Sequence, residues 1–330
     1  MKRRWRTALC IGTAVFVSVV QQADANTTDA LLILSPKGDL FESAKNGLVN
    51  ELKDMFDIST MEVGESTTVD EIQEKCAATS PRAVVLSGNH AIHLYVKHAR
   101  EHREETASIP VIAILALDMK RAVSGLDNVR GIAYETPMVT ALVSFRRIIN
   151  KPVATVGVVY RKAFEEFIGK HTDYCKKEKI SVKSVLIGDD ASSHKKEISK
   201  ALKFLVKKER VDAFWVPNDN ILLKPELLID VWLPVFAAQK VPVIVGVESL
   251  VRPELNFGTY AVVPDPVSMG EQAAGIITDL MDNDWESTGS IVYPAISMYS
   301  VLNLKKAAFV ADVKAINITE VTRVLPEGKK

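Results

Sequence analysis

The sequence is poor in cysteine, with three in 330 residues. Cys10 lies inside an apolar run near the N-terminus, which leaves Cys76 and Cys175. Two cysteines do not make a disulfide framework. Each falls in its own helical stretch, so both are expected as separate, unpaired thiols. The chain also lacks an excess of either charge, with 41 Lys+Arg against 41 Asp+Glu. That balance speaks against nucleic acid, which demands a basic face. Motifs that cradle phosphate or expose a nucleophile are missing: there is no G-x-x-x-x-G-K-[ST], no G-x-G-x-x-G and no G-x-S-x-G. No run approaches the roughly 20 apolar residues of a membrane span.

What the N-terminus does contain is ordered. Lys2, Arg3, Arg4 and Arg6 precede the apolar run Ala8–Val20, and Ala23-Asp24-Ala25 follows as a small-x-small site. This is the order of a secretory signal cleaved after Ala25. An uncleaved anchor is the competing reading, but a helix of that length spans only about 20 Å against a hydrocarbon core of about 30 Å. Of the 41 basic and 41 acidic residues, four and one fall within residues 1–25, so the remainder is close to neutral. Hydrophobic residues make up 47% of the chain, enough for a sizeable core in one large domain or two lobes. The expected product is a soluble periplasmic or otherwise secreted protein.

Short apolar runs alternate with longer helical patterns. The pattern predicts strands at Ala30–Leu34, Ile58–Val63, Ala83–Leu86, Val111–Leu117 and Ile132–Tyr134, with helices at Leu40–Phe56, Val69–Ala78 and Ala91–Glu105 between them. Thr68 and Glu71 form a capping box, and Asn89 is expected to cap the third helix. The second half repeats the alternation, with strands Ala154–Tyr160, Val182–Ile187, Ala213–Val216, Val243–Val247 and Thr259–Val263. Helices Lys162–Lys179, Lys195–Lys208 and Pro225–Gln239 lie between these strands. Strand–helix alternation of this kind means parallel sheets covered on both faces. The segment Pro81–Asn89 followed by Ile109–Ile114 echoes Val211–Asn218 followed by Val241–Gly246. The expected fold is therefore α/β, with two Rossmann-like lobes. One lobe takes residues 26–135 and 265–292, the other residues 136–264 and 293–330. The chain crosses between them near Tyr134–Pro137, Val263–Pro266 and Val292–Ala295, and such crossings are natural hinges.

Three apolar runs in the second half end in polar clusters: Asn218-Asp219-Asn220, Glu248-Ser249 and Asp265. In open parallel sheets, ligands bind outside the carboxyl ends of the strands. These clusters, far apart in sequence, are therefore expected at one crevice that grips a small polar molecule. Strand-end Asn and Asp also serve as ordinary caps and turn formers.

At these residues the chain resembles bacterial periplasmic substrate-binding proteins of ABC importers, in particular the group of ABC-type transport system periplasmic components. The resemblance runs from about Ala30 to Ala308. It is carried by Lys151–Tyr160, Val211–Asn220, Gly258–Gly270 and Asn303-Leu304-Lys305. It implies the type I periplasmic-binding fold and a solute delivered to a membrane permease, with an amino acid or related amine-bearing compound as the solute. It implies ligand contacts at Ser35, at the helix start Ser87-Gly88-Asn89, at Asp118 and at Asp265, beside the strand-end candidates Asn218, Asn220 and Glu248 and the candidate Tyr134. Asp219 would take the ligand's ammonium. The chain departs from the group at Met119, at Arg130 and at Arg161-Lys162-Ala163. That last segment stands where an Asn-Pro loop normally contributes to the second lobe's side of the pocket.

No cofactor and no bound metal are expected, and the protein is read as a monomeric binding protein rather than an enzyme. An alternative keeps the fold and makes it a sensor subunit for a receptor or kinase. A second alternative, a secreted zinc hydrolase, rests on His98-Ala-Arg-Glu101-His102, which matches H-x-x-E-H. Against it, Glu101 points away from the apolar face set by Ile92, Tyr95, Val96 and Ala99. Charged residues surround the motif, which reads as a solvated face.

Overall fold

The computed structural model describes residues 28–326, apart from residues 312 and 314. The expected signal segment, Cys10 included, lies outside the described residues. The chain forms two sheets. In the first, β1 (Ala30–Ser35), β2 (Asp57–Glu62), β3 (Ala83–Ser87), β4 (Val111–Ile114) and β5 (Val129–Ala133) are joined by β11 (Ile291–Pro294), in the order β11-β5-β4-β3-β1-β2. The second holds β6 (Thr155–Arg161), β7 (Ser181–Ile187), β8 (Ala213–Val216), β9 (Val243–Val245), β10 (Tyr260–Pro264), β12 (Met298–Asn303) and β13 (Arg323–Leu325), in the order β13-β12-β10-β9-β8-β6-β7. All pairs are parallel except β10 with β12. The arrangement is the doubly wound pair of lobes that the alternation of strands and helices implied.

Burial explains the strand sequences. β3, β4 and β8 are buried along their whole length, as continuous apolar runs require when helices cover both faces. The outer strands β2 and β7 carry polar residues and are largely exposed. In the first lobe, Leu31, Ile33 and Val85 face helices Asp39–Leu52 and Pro266–Asp282. Leu32 and Val84 belong to the other face, covered by helix Val69–Thr79 through Ile72 and by helix Gly88–Glu101. The second lobe repeats this. Helix His194–Lys207 with the segment from Pro225 to Ala238 covers one face, while helices Met138–Ile148, Glu165–Lys177 and Leu304–Val310 cover the other.

Local chemistry sets several boundaries. The Thr68–Glu71 capping box is present in both directions, at 3.2 and 2.7 Å. β4 stops at Ile114 rather than Leu117 because Leu115 and Asp118 adopt left-handed backbone, φ 57° and 51°. The helix expected over Pro225–Gln239 is interrupted by a π-helical turn at Leu228–Trp232, whose Trp232 indole donates to the Leu222 carbonyl at 2.9 Å. Two helices absent from the sequence reading, Met138–Ile148 and Pro266–Asp282, start directly after crossings between the sheets. The second crosses helix Asp39–Leu52 at very short range. A Cβ on Gly270 would sit 2.0 Å from the Ala44 carbonyl oxygen, and one on Gly47 would sit 2.3 Å from that of Val267.

The two described cysteines are free. Cys175 is buried in the second lobe and Cys76 is half-buried against the first. Burial raises both thiols to about 11.

Candidate functional site

Both sheets order their first four strands alike, with the second strand outside the first and the third on its other side. This places a topological switch point between β1 and β3 in one lobe and between β6 and β8 in the other. Crevices at the carboxyl ends of strands beside such points are where doubly wound sheets bind ligands. A cleft enclosing about 580 Å3 opens there between the lobes. Its first wall comes from the segments after β3 and β4, with Asn89, His93, Leu117, Asp118 and Arg121. Its second wall follows β6 and β8, with Arg161, Phe164, Asn218, Asp219 and Asn220. A roomier hollow, about 760 Å3 around Leu233, Phe236 and Phe309, belongs to the second lobe alone and touches no strand end of the first.

The polar centre of the second wall is an ion cluster. Arg161 is the last residue of β6, and Asp219 follows β8 across the switch point. Arg161 donates from Nε to Asp219 Oδ2 at 2.8 Å and from Nη2 to Oδ1 at 3.0 Å, a two-pronged pair. Its Nη1 reaches Asp189 Oδ1 at 3.1 Å. Asp219 Oδ1 also accepts from the Ile221 and Leu222 amides at 2.8 and 3.4 Å. The Asp219 side chain is 2% exposed and that of Arg161 12%. The bond to Asp219, above all, raises the Arg161 pKa beyond its ordinary value, so the guanidinium is always charged. Asp219 therefore closes the turn after β8 and orients Arg161. Between them its two oxygens accept four hydrogen bonds, three of them on Oδ1.

Asn218 sits on Gly246, where a Cβ would come within 2.6 Å of its amide. Its Oδ1 is buried without a hydrogen-bond partner. Asn220 is exposed on the same wall.

On the first wall, Asn89 does not cap the helix as expected. The helix begins at Gly88 rather than Ala91, and Ser87 holds the cap position without a side-chain bond. Asn89 instead clamps the peptide of Leu117, donating to its carbonyl at 2.8 Å and accepting from its amide at 2.9 Å. This ties the helix start to the loop after β4 and sets the position of Asp118. Asp118 is exposed in the cleft, and its side chain caps nothing. Its backbone amide donates to the Glu135 carboxylate. Burial pushes that carboxyl above its usual range, against the pull of the Asp118 amide.

The remaining expected residues lie outside the cleft lining. Ser35 is buried at the end of β1, with its hydroxyl on the Pro36 carbonyl at 3.3 Å. Ser87 is buried with an unpartnered hydroxyl, and Gly88, at φ 79°, lies under the Phe41 ring. Tyr134, Glu248 and Asp265 stand at or beside the crossings. Glu248 accepts from the Tyr299 hydroxyl and from Arg323, both at 2.7 Å. Burial first, then the nearby Glu248 and Glu135, pushes Tyr134 up to about 12. Asp265 caps helix Pro266–Asp282 by accepting from the Ser268 amide at 3.1 Å.

The cleft contains residues the sequence reading left out of the site. Arg161, Ala163 and Phe164 line it, as do Lys97, Arg100 and Arg121. The signal for Arg161 was its place at the end of a buried strand.

The zinc motif reads differently in three dimensions. His98 is not on a solvated face: it is 1% exposed, and both ring nitrogens lack hydrogen-bond partners. Its ring lies 4.9 Å from that of His102, and burial lowers its pKa to about 4. Among the described residues no group of three His, Cys, Asp or Glu side chains could hold a metal ion.

Solved structures share this architecture. The chain superposes on the ligand-free, open form of a substrate-binding protein with adhesive properties from Clostridium difficile, at a TM-score of 0.66 and 15% identity. That match covers 90% of this chain and 99% of the other. The fold is the type I periplasmic-binding fold. An ABC domain in complex with L-Trp from Streptococcus pneumonia matches at 0.55 and 18% identity, covering 90% and 100% of the two chains. A periplasmic ribose ABC transporter protein from Conexibacter woesei matches at 0.52 and 16%, covering 83% and 92%. No protein-family model and no curated protein matches the sequence.

Proposed function

We propose that this chain is an extracytoplasmic solute-binding protein. It captures a small polar solute, of the amino-acid type or a related amine-bearing compound, between its lobes and presents it to an ABC permease. The observation that carries this reading is the inter-lobe cleft. Polar side chains from the carboxyl ends of strands in both sheets meet at it, and the chain passes between the sheets at Tyr134–Pro137, at Asp265 and at Ala295–Ser297. Asp118 is the acceptor free for an ammonium group. The basic and apolar N-terminal segment supports export, and no described helix is long and apolar enough to cross a membrane.

A solute favours closure only by binding the closed form better than the open one. Turning a 1:99 population into 99:1 takes about 5.5 kcal/mol of differential binding, which contacts from two walls can supply and contacts from one cannot. Native mass spectrometry of gently purified protein tests the reading. A stoichiometric small solute that Asp118→Asn weakens supports it. A protein that carries no solute and gains no thermal stability from any member of a broad metabolite library contradicts it.

A further inference from the structure

The cleft has a donor-rich character that the general reading does not require. The inference below rests on the solute-binding reading and narrows the solute. Arg161 offers five N–H donors. Three are engaged, by Nε and Nη2 on Asp219 and by Nη1 on Asp189. One donor on each Nη remains. Asp219 is 2% exposed and already accepts four hydrogen bonds, from Arg161 and two backbone amides, which leaves it poorly placed to serve a solute. The second wall thus presents unengaged donors at Arg161 and no open carboxylate, its open acceptors being the neutral amides Asn218 and Asn220. An oxyanion needs donors only.

Charge points the same way. The cleft is lined by Lys97, Arg100, Arg121 and Arg161, against the carboxylates of Asp118 and Asp219. Arg161 and Asp219 cancel as a pair, which leaves Lys97, Arg100 and Arg121 against Asp118, an excess of positive charge. Asp189, which also touches Arg161, is 62% exposed and largely screened by water. Lys97, Arg100 and Arg121 all stand on the opposite wall from Arg161, and apart from Asp118 no carboxylate of the cleft lining compensates them. Closing the cleft brings these cations toward the Arg161 fork. An anion between the walls would meet the unengaged Arg161 donors on one side and these cations on the other.

We infer that the solute is anionic at neutral pH and presents a carboxylate or phosphate oxyanion to the Arg161 fork, with Asp219 as the residue that positions Arg161. The test is calorimetric titration of the protein with matched pairs: L-glutamate and L-glutamine, O-phospho-L-serine and L-serine, D-ribose 5-phosphate and D-ribose. The glutamate and phosphoserine arms separate carboxylate from phosphate recognition. In a pair that binds, the anion is expected to bind at least tenfold more tightly than its neutral mate. Arg161→Gln should weaken that anion thirty-fold or more, while Arg161→Lys, which keeps charge but loses the fork, falls between. Because Arg161→Gln leaves Asp219 buried without its partner, the double variant Arg161→Gln/Asp219→Asn is measured beside it and should lose the anion equally. Arg121→Gln should weaken the anion without disturbing the fold. Binding of a neutral member as tight as its anion overturns the inference and leaves the solute-binding reading standing. So does anion binding unmoved in the double variant and in Arg121→Gln. Binding of no compound of either charge, with no solute carried through purification, overturns the solute-binding reading itself.

Discussion

Removing Asp219 separates an anchoring role from a purely ligand-facing one. If the carboxylate served only a bound solute, Asp219→Ala would leave the empty protein unchanged. The geometry says otherwise. The side chain is 2% exposed and bonds Arg161 through two nitrogens and the amides of Ile221 and Leu222. Breaking a buried pair by deleting one partner costs about 3–5 kcal/mol. Here Arg161 keeps the exposed Asp189, and its side chain is 12% exposed, which reduces the loss. Loss of the turn amides adds about 1 kcal/mol. The net expectation is about 3 kcal/mol, or a melting temperature lower by roughly 6–12 °C for a unit the size of one lobe. The assay is urea denaturation of the solute-free protein as a double-mutant cycle with Arg161→Gln. A coupling of about 2 kcal/mol or more is expected. Coupling below about 0.5 kcal/mol, with the empty Asp219→Ala variant as stable as wild type, would refute the reasoning and return Asp219 to a ligand-only role.

Three further outcomes are expected. Burial lowers His98 and His171 to about 4, so both rings are neutral in the folded protein. The unfolded chain takes up those protons below about pH 6.5, so stability is complete above that pH and falls between 6.5 and 4, by about 2–3 kcal/mol per ring at pH 4.5. Thermal melts from pH 7 to 4.5 should show this loss, and His98→Leu/His171→Leu should flatten it; an unchanged slope counts against the burial argument. Gly270→Ala should cost about 2–3 kcal/mol, because its Cβ would meet the backbone of Ala44 and Leu48. Gly275→Ala, in open space on the same helix, should be neutral or stabilising by about 0.5–1 kcal/mol, and equal effects in denaturation would show that the helix crossing is looser than described. Cys76 and Cys175 should both titrate as thiols after denaturation, yet react slowly with iodoacetamide at pH 7.5 in the native state, since burial holds them protonated; a monomer with no free thiol would contradict the fold.

The parts of this architecture that were legible in sequence are those where local pattern and burial agree. Continuous apolar runs such as Val84–Leu86 and Ala213–Val216 became central strands because both faces are covered. Helix Pro266–Asp282 was hidden by its small residues. Gly270, Ala273, Ala274 and Gly275 blur the apolar stripe, although Asp265 as cap and Pro266 in the first turn are ordinary start signals. Asn89 was misassigned because its partner, the Leu117 peptide, lies 28 residues away. Of the residues expected at the site, Asn89, Asp118, Asn218, Asp219 and Asn220 come together because strand ends of parallel sheets converge on one edge. What sequence did not disclose was the pairing across the switch point. Arg161 and Asp219 are 58 positions apart, and only the strand order makes them neighbours. That pairing turns the expected acceptor into a support and brings the neighbouring arginine into the site.

Small-angle X-ray scattering, with and without the solute recovered from the purified protein, tests most directly the claim that two lobes close on a solute in this cleft. The radius of gyration should fall on saturation in wild type, and should stay at its solute-free value in a variant with Asp118→Asn and Arg161→Gln together. A solute that binds with full affinity while the scattering curve does not change would contradict closure as the mechanism.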